Sequence, residues 1–423
     1  MVATKSARER TAANEEALRR LCEADPVLVD VVPAGSVVPG MTRETILTSG
    51  APLPWDVYRG GQRRAIVAAA LFEGLASTTD EAEAKLADGE IIVEPTHPHC
   101  CVGPVAGIYT ASMPVFVVEN RGRGNTAFCN LYEGESRKRL NYGVYGGEVR
   151  DGLLLLERVI GPVLGAAVRR AGGIELKPIV RRALHMGDEL HSRNTAATML
   201  FAKALTPQLL ELALEGEVDA DDLRRTIAFV HGSDYFFLRL SMAAAKAAAD
   251  GAHGVNGSSL VTAMTISCRD FAIRVSGLGD EWFRGPHAVT EAKLFDPFTE
   301  DDIEWVGGES HITETVGLGG FAQAAAFALQ AYQGGSPQEM ALMNELMYEI
   351  TLGEHPDYQI PFFGYRGTPV GIDVERVLET GIVPVIDGGL AGRNGVGQIG
   401  AGILRAPIEC FEAAHAAYVA RYA

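Results

Sequence analysis

The amino-acid sequence predicts a multidomain α/β protein with a mainly helical middle portion. Three observations predict this class: strands alternate with helices in the first third, helical periodicity takes over in the second, and β character returns in the third. The 423 residues are enough for two or three buried cores, and 47% hydrophobic with 22% charged residues is an ordinary globular balance.

Along the chain, residues 12–24 read as a helix ending at "ADP". "VLVDVVP" follows as a strand buried on both faces, because it is β-branched and barely alternates. The helix "RRAIVAAALFEGLA", an acidic helix near 80–88, and the strands "IIVEP", "MPVFVVEN" and "NTAFCNLYE" complete an N-terminal α/β domain, 12–146, a Rossmann-like remnant with a partly parallel sheet. From 147 to 252 the pattern is helical. "EVRDGLLLLERVIGPVLGAAVRRAGG" stops at Gly-Gly, "TPQLLELALE" follows, and "DADDLRRTIAFV" is capped by Asp219 or Asp221. After Asn256-Gly257, "SSLVTAMTI" and "DFAIRVSGLG" read as a hairpin. They open a C-terminal α/β domain, 253–423, with glycine-rich loops.

A net charge of −17 argues against nucleic acid or an anionic membrane as the main partner, since nothing would neutralise phosphates. The polar start "MVATKSARERTAANEEALRRL" has no apolar core, and no apolar run reaches membrane-spanning length, so a cytoplasmic protein is expected. The six cysteines lack C-x-x-C spacing and read as reduced thiols. No four-ligand structural-zinc spacing exists, so no metal and no cofactor are expected.

Polar residues crowd into "ALHMGDELHSRNTAATMLF", 183–201. On a helix His185, Asp188, Glu189 and Arg193 share one face, with His191 at its margin and Asn194 pointing away. Three readings compete: a catalytic or substrate-binding face, a structural ion-pair network, and a metal site. The two histidines stand six apart, unlike H-E-x-x-H, which disfavours zinc. In "GESHITETVGLGGFAQAAAFALQAY", 308–332, Gly317, Gly319 and Gly320 precede an apolar helical pattern. Free N–H groups at such a helix start, with the hydroxyls of Thr313 and Thr315 and with Glu314, suit a carboxylate or phosphate. The competing reading is a tight turn for helix–sheet packing. "NGVGQIGAGILRAP", 394–407, has G-x-G-x-x-G, but its helix starts only after Pro407, so close packing on a substrate or another strand is expected rather than a dinucleotide site. "HPHCC", 97–101, offers His97 and His99 either to a metal or, as the favoured reading, to a loop bordering a cleft. No G-x-S-x-G elbow or P-loop occurs.

Together "ALHMGDELHSRN", "ITETVGLGGFA", "EITLGEHPDYQIP", "RGTPVGIDVERVLETGIVPVI" and "GVGQIGAG" resemble the YlbE/AllG-like family from about residue 17 onward. The resemblance implies a subunit of a bacterial oxamate carbamoyltransferase of allantoin breakdown. Such an enzyme exchanges a carbamoyl group between oxalurate and phosphate and works with two other subunits. The chain departs from the family pattern at "GGQRRAIV" (60–67), "TISC" (265–268) and "AGR" (391–393). The residue chemistry then nominates His185, Asp188, Glu189, His191 and Glu314 as catalytic. Arg193, Asn194, Thr313, Thr315, Gly317, Gly319, Gly320, Arg366, Arg393, His97 and His99 are nominated as substrate-binding. Partners expected are a small acid and phosphate, heteromeric subunits and a second copy of the chain. A water-using amidohydrolase or lyase, and a non-catalytic acid-binding subunit, are the alternative functions.

Overall fold

Two mixed α/β portions and a helical portion between them make up the computed structural model, which describes residues 5–422. The first sheet has five strands in the order Cys101–Val102, Asn125–Asn130, Pro114–Asn120, Pro26–Pro33, Ile174–Glu175. Three of its four pairings are antiparallel, and the Cys101 strand alone is parallel to its neighbour. A separate parallel pair joins Thr45–Thr48 to Ile92–Pro95. The sheet is therefore partly parallel, but it is not Rossmann-like. Consecutive strands 114–120 and 125–130 form a hairpin where a βαβ crossover would be needed.

The predicted long helix is present as Gly147–Leu155 and Gly161–Arg170, joined by a π-turn over Leu156–Ile160. Pro162 lacks an N–H and cannot continue the ladder there, which accounts for the irregular turn. Gly172 and Gly173 stop the helix at φ 70° and 96°. Asp219 caps Ala220–His231 by accepting from the N–H groups of Asp221 and Asp222. "TPQLLELALE" is the second half of one helix, Thr195–Leu214, with Pro207 inside it. The alanine-rich helix Leu238–Ala252 packs on the first sheet; its alanines let the backbone approach closely. The largest apolar cluster draws residues from all three segments, for example Leu28, Phe201 and Ile312.

In the last third the hairpin Val261–Ile266 and Phe271–Val275 is extended by Trp282–Gly285. A four-stranded sheet runs Val289–Leu294, Gly397–Arg405, Val385–Gly392, Ile303–Val306. "GVGQIGAG" runs from the Arg393–Gly395 turn into the strand Gly397–Arg405, close-packed between two neighbours; a Cβ on Gly402 would stand 2.2 Å from the Glu291 carbonyl oxygen.

Two predicted helices are absent. Residues 185–194 form a turn between the helices Lys177–Leu184 and Thr195–Leu214. Gly187 and Leu190 take positive φ there, and the buried carboxylates accept backbone N–H groups that a helix would have paired internally. "FAQAAAFALQAY" is a chain of 3-10 turns ending in the short helix Gln330–Gln333. Asn344, on the helix Pro337–Glu349, takes over the missing hydrogen bonds: it accepts from Ala324 N–H and donates to the Phe321 carbonyl.

Candidate active site

One pocket is lined by residues from all three portions. The N-terminal portion gives Tyr132, Glu133, Arg139, Asn141 and Tyr142, and the helical portion gives His191, Ser192, Tyr235 and Arg239. The C-terminal portion gives Ser310, His311, Tyr332, Gly388, Gly389 and Gln398.

The two arginines are the pocket's defining feature. Arg139 and Arg239 are 8% and 3% exposed, and among the described residues neither has a carboxylate oxygen within 4.0 Å. Arg139 donates to the Tyr132 hydroxyl at 3.3 Å and to Gln398, while Arg239 donates to Asn130. Both Nε atoms lack partners. Both guanidinium carbons face the Tyr132 ring, 5.6 and 5.9 Å from its centroid, so the two charges converge on one side chain. Glu133 in the same pocket lies beyond ion-pair distance, though its charge favours the Arg139 guanidinium; an anionic ligand would add the close counter-charge that neither arginine has.

Two histidines stand opposite in character, ring centroids 6.2 Å apart. His191 Nδ1 lies 2.8 Å from Glu314 Oε1, which leaves Nε2 for the pocket. Burial alone would depress the His191 imidazolium, but the charge and hydrogen bond of Glu314 outweigh burial and raise its pKa. Glu314 is fully buried, which works against ionisation. The charge and hydrogen bond of His191, with the N–H of Gly320, overcome this and lower its pKa. Glu314 also accepts from Asp387 N–H and the Thr313 hydroxyl. His311 is buried with both ring nitrogens unpartnered, and burial pushes its pKa down to about 4. An imidazolium beside a neutral imidazole is an acid–base arrangement.

Backbone strain gathers here. Val105 lines the pocket at φ 56°, an outlier for a β-branched residue, and Leu190 precedes His191 at φ 71°. Gly308 lets Val105 approach: a Cβ on it would stand 2.2 Å from Val105 N.

Of the nominated residues, His191 lines the pocket and Glu314 supports it from behind. Glu189 is fully buried and accepts from the N–H groups of His191, Ser192 and Arg193, fixing the turn that aims His191. Burial, then the nearby Asp387 charge, raise its pKa against those donors. Asp188 accepts from Ala197 N–H and so caps the helix Thr195–Leu214; burial lifts its pKa to about 6. Arg193 lies 3.5 Å from Asp188, and Asn194 donates to the His191 carbonyl. Thr313 and Thr315 are buried and hydrogen-bond to carbonyls three residues back.

The remaining nominees lie elsewhere. His185 is exposed, edge-on to Tyr365, and not on the shared helical face expected. Arg366 is exposed, paired with Glu354 and stacked on Tyr348. Arg393 is exposed and donates to the Ile303 carbonyl. His97 is buried against Trp282, and His99 pairs with Glu94. Among the described residues no group of three or more His, Cys, Asp or Glu is placed to hold a metal.

The glycine loop carries no helix N-terminus. Gly317 sits against Thr368, Gly319 N–H donates to the Glu189 carbonyl at 2.7 Å, and Gly320 packs on the Val385 carbonyl. These glycines bring the Glu189 turn, Glu314 and the sheet together. Gly319 has φ 57°, and a Cβ there would lie 2.3 Å from Glu314 Oε1. Gly319→Val is therefore expected to destabilise the fold by on the order of 3 kcal/mol or more. Urea denaturation would check this; an unchanged midpoint with lost ligand binding would instead mean that the loop touches ligand.

Sequence reasoning missed Arg139, Arg239, His311 and the four tyrosines. One signal was legible: Arg239 interrupts the apolar face of "FFLRLSMAAAKAAAD".

Fold and pocket define a multidomain α/β protein whose portions line a small chamber with two buried arginines, a carboxylate and a histidine pair. A family model described as oxamate carbamoyltransferase subunit AllG matches residues 91–310. The oxamate carbamoyltransferase subunit AllG of Escherichia coli K12 is 40% identical over 406 residues, 95% of this chain and 96% of that protein. YahG of the same organism, an uncharacterized protein, is 42% identical over 412 residues, 97% of this chain and 86% of that one. A crystal structure of a conserved protein of unknown function from Enterococcus faecalis V583 matches with a TM-score of 0.95 and 39% identity, covering 100% of both chains. The chain belongs to the AllG family. No helix among the described residues is long and apolar enough to cross a membrane.

Proposed function

We propose that this chain is a carbamoyltransferase subunit whose pocket binds a small ureido or amide acid of the oxalurate and oxamate kind together with phosphate. The observation that carries the reading is the pair of buried guanidiniums, Arg139 and Arg239, without carboxylate partners. Planar guanidiniums match carboxylate and phosphate oxygens in forked pairs. The name of the E. coli relative at 40% identity supports the same chemistry.

In this scheme a phosphate oxygen attacks the ureido carbonyl of oxalurate, and the developing oxyanion is held by arginine N–H groups. The C–O bond to phosphate forms as the C–N bond to the oxamate nitrogen breaks. Neutral His311 takes the proton of hydrogen phosphate, and His191 Nε2 gives one to the departing nitrogen, so the products are carbamoyl phosphate and oxamate. A proton returned from His311 to His191 resets the pair. Glu314 stabilises the imidazolium and fixes its tautomer.

The test is calorimetric titration of the chain with oxamate and with inorganic phosphate, followed by phosphorus NMR of oxalurate–phosphate mixtures with and without added subunits. The expected result is saturable oxamate binding below about 1 mM and phosphate-dependent carbamoyl phosphate. Ammonia release without phosphate would assign the pocket to hydrolysis, and no binding of either anion would overturn the reading.

A further inference from the structure

We propose that Asp387, Gln323 and Gln333 hold a dehydrated monovalent cation of sodium or potassium size behind the pocket. Asp387 is fully buried in the strand Val385–Gly392. Its Oδ1 accepts from Gln323 Nε2 at 2.6 Å and Gln333 Nε2 at 3.0 Å, while its Oδ2 has no partner. The Oε1 atoms of both glutamines, buried at 0% and 3% exposure, are also unpartnered. Each amide carries its oxygen and nitrogen on one carbon, so both orphan oxygens stay close to the carboxylate that their nitrogens grip. Flipping either amide would set its oxygen against Asp387 Oδ1, which fixes the orientation.

Three orphaned acceptors at one buried carboxylate leave an unmet demand for donors or positive charge, and a single cation can meet all three at once. The protein supplies none at close range: among the described residues no lysine or arginine nitrogen lies within 4.0 Å of Asp387, Glu314 or Glu189, and Glu314 has only His191. Without a cation, burial and then the Glu314 charge lift the Asp387 pKa to about 6. Oxygen ligands with a single carboxylate suit a hard, singly charged ion; a divalent ion would draw on more carboxylates.

The placement gives the ion a task. Asp387 N–H donates to Glu314 Oε1, Gly388 and Gly389 follow it into the pocket floor, and Gln333 adjoins the pocket residue Tyr332. A bound ion would brace floor, wall and His191–Glu314 pair at once. This inference stands apart from the proposed reaction, since its test needs no substrate.

The experiment follows thermal unfolding of the full chain in sodium, potassium or choline chloride at one ionic strength, with a crystal structure grown in the favoured salt. Sodium or potassium should raise Tm saturably over choline, by about 5 °C. The rise should vanish in Asp387→Asn and in Gln323→Leu. A density peak should touch all three orphan oxygens at distances shorter than hydrogen bonds. Equal Tm in choline and both alkali salts would overturn the proposal, as would a water or direct contact between Asp387 Oδ2 and an amide oxygen in the crystal. The Gln323 variant keeps the test decisive if Asp387→Asn fails to fold.

Discussion

Arg239→Met is expected to weaken oxamate or phosphate binding at least about hundredfold while leaving Tm unchanged or higher. Removing a charge-assisted forked hydrogen bond from a desolvated site costs about 2–5 kcal/mol of binding. The folded protein loses little, because Arg239 is buried at 3% exposure with no carboxylate within reach. Its removal relieves a desolvation cost, and Met fills similar volume on the helix Leu238–Ala252. The opposing loss is the hydrogen bond to Asn130, worth about 1–3 kcal/mol. Calorimetric titration and thermal unfolding of the variant decide the matter. A Tm drop of many degrees with binding intact would make Arg239 a structural cation.

The second large effect concerns Glu314→Gln, which removes a charge while keeping the shape. The amide oxygen can still accept from Gly320 and Asp387 N–H, and its NH2 can donate to the Thr313 hydroxyl. The folded pKa of His191 is raised above its unfolded 6.5, so its contribution is complete below pH 6.5 and disappears as pH rises through the raised value. The folded pKa of Glu314 is depressed below its unfolded 4.5, so its contribution is present above pH 4.5 and disappears as pH falls through the lowered value. The wild-type pair thus supports a plateau between pH 4.5 and 6.5 with a decline on either side. In Glu314→Gln the alkaline decline should disappear and stability should instead fall as pH drops below 6.5, with a loss on the order of 2 kcal/mol on the former plateau. Burial would then set the pKa of His191 below 6.5. Turnover near neutral pH should drop about 10²-fold or more for want of the imidazolium. Nitrogen-15 NMR of the His191 ring against pH is the direct measurement; an unmoved titration would remove Glu314 from its supporting role.

The order of elements was legible in the sequence because periodicity, caps and glycine stops are local. Asp219, the Gly172-Gly173 stop and the 261–275 hairpin sit where these signals put them. The 185–194 turn and the 319–333 turns were misread as helix because their backbone closes tight turns or bonds to side chains, and a few decisive N–H groups go to distant partners. Glu189 receives Gly319 across the fold, and Asn344 serves Phe321 and Ala324. Only tertiary structure reveals such partners. The site was legible in part. The crowding of Glu189, His191 and Glu314 marked a real convergence, since polar residues in apolar surroundings need one another. Arg139 and Tyr132 fall in an ordinary polar loop, and nothing local announces that they meet Arg239. The face-sharing of His185 with Asp188 vanished with the helix that would have produced it.

The chamber takes residues near 132–142, 191–192, 235–239, 307–311, 332 and 388–398, so it belongs to no single stretch of chain. Whatever binds there has the intact fold as its receptor, and partly folded forms retain no fraction of its affinity. Occupancy is then linked to the global folding equilibrium, and slowed amide exchange should spread through all three portions. A chain nicked or truncated in any one of them should lose the ligand altogether instead of binding it more weakly.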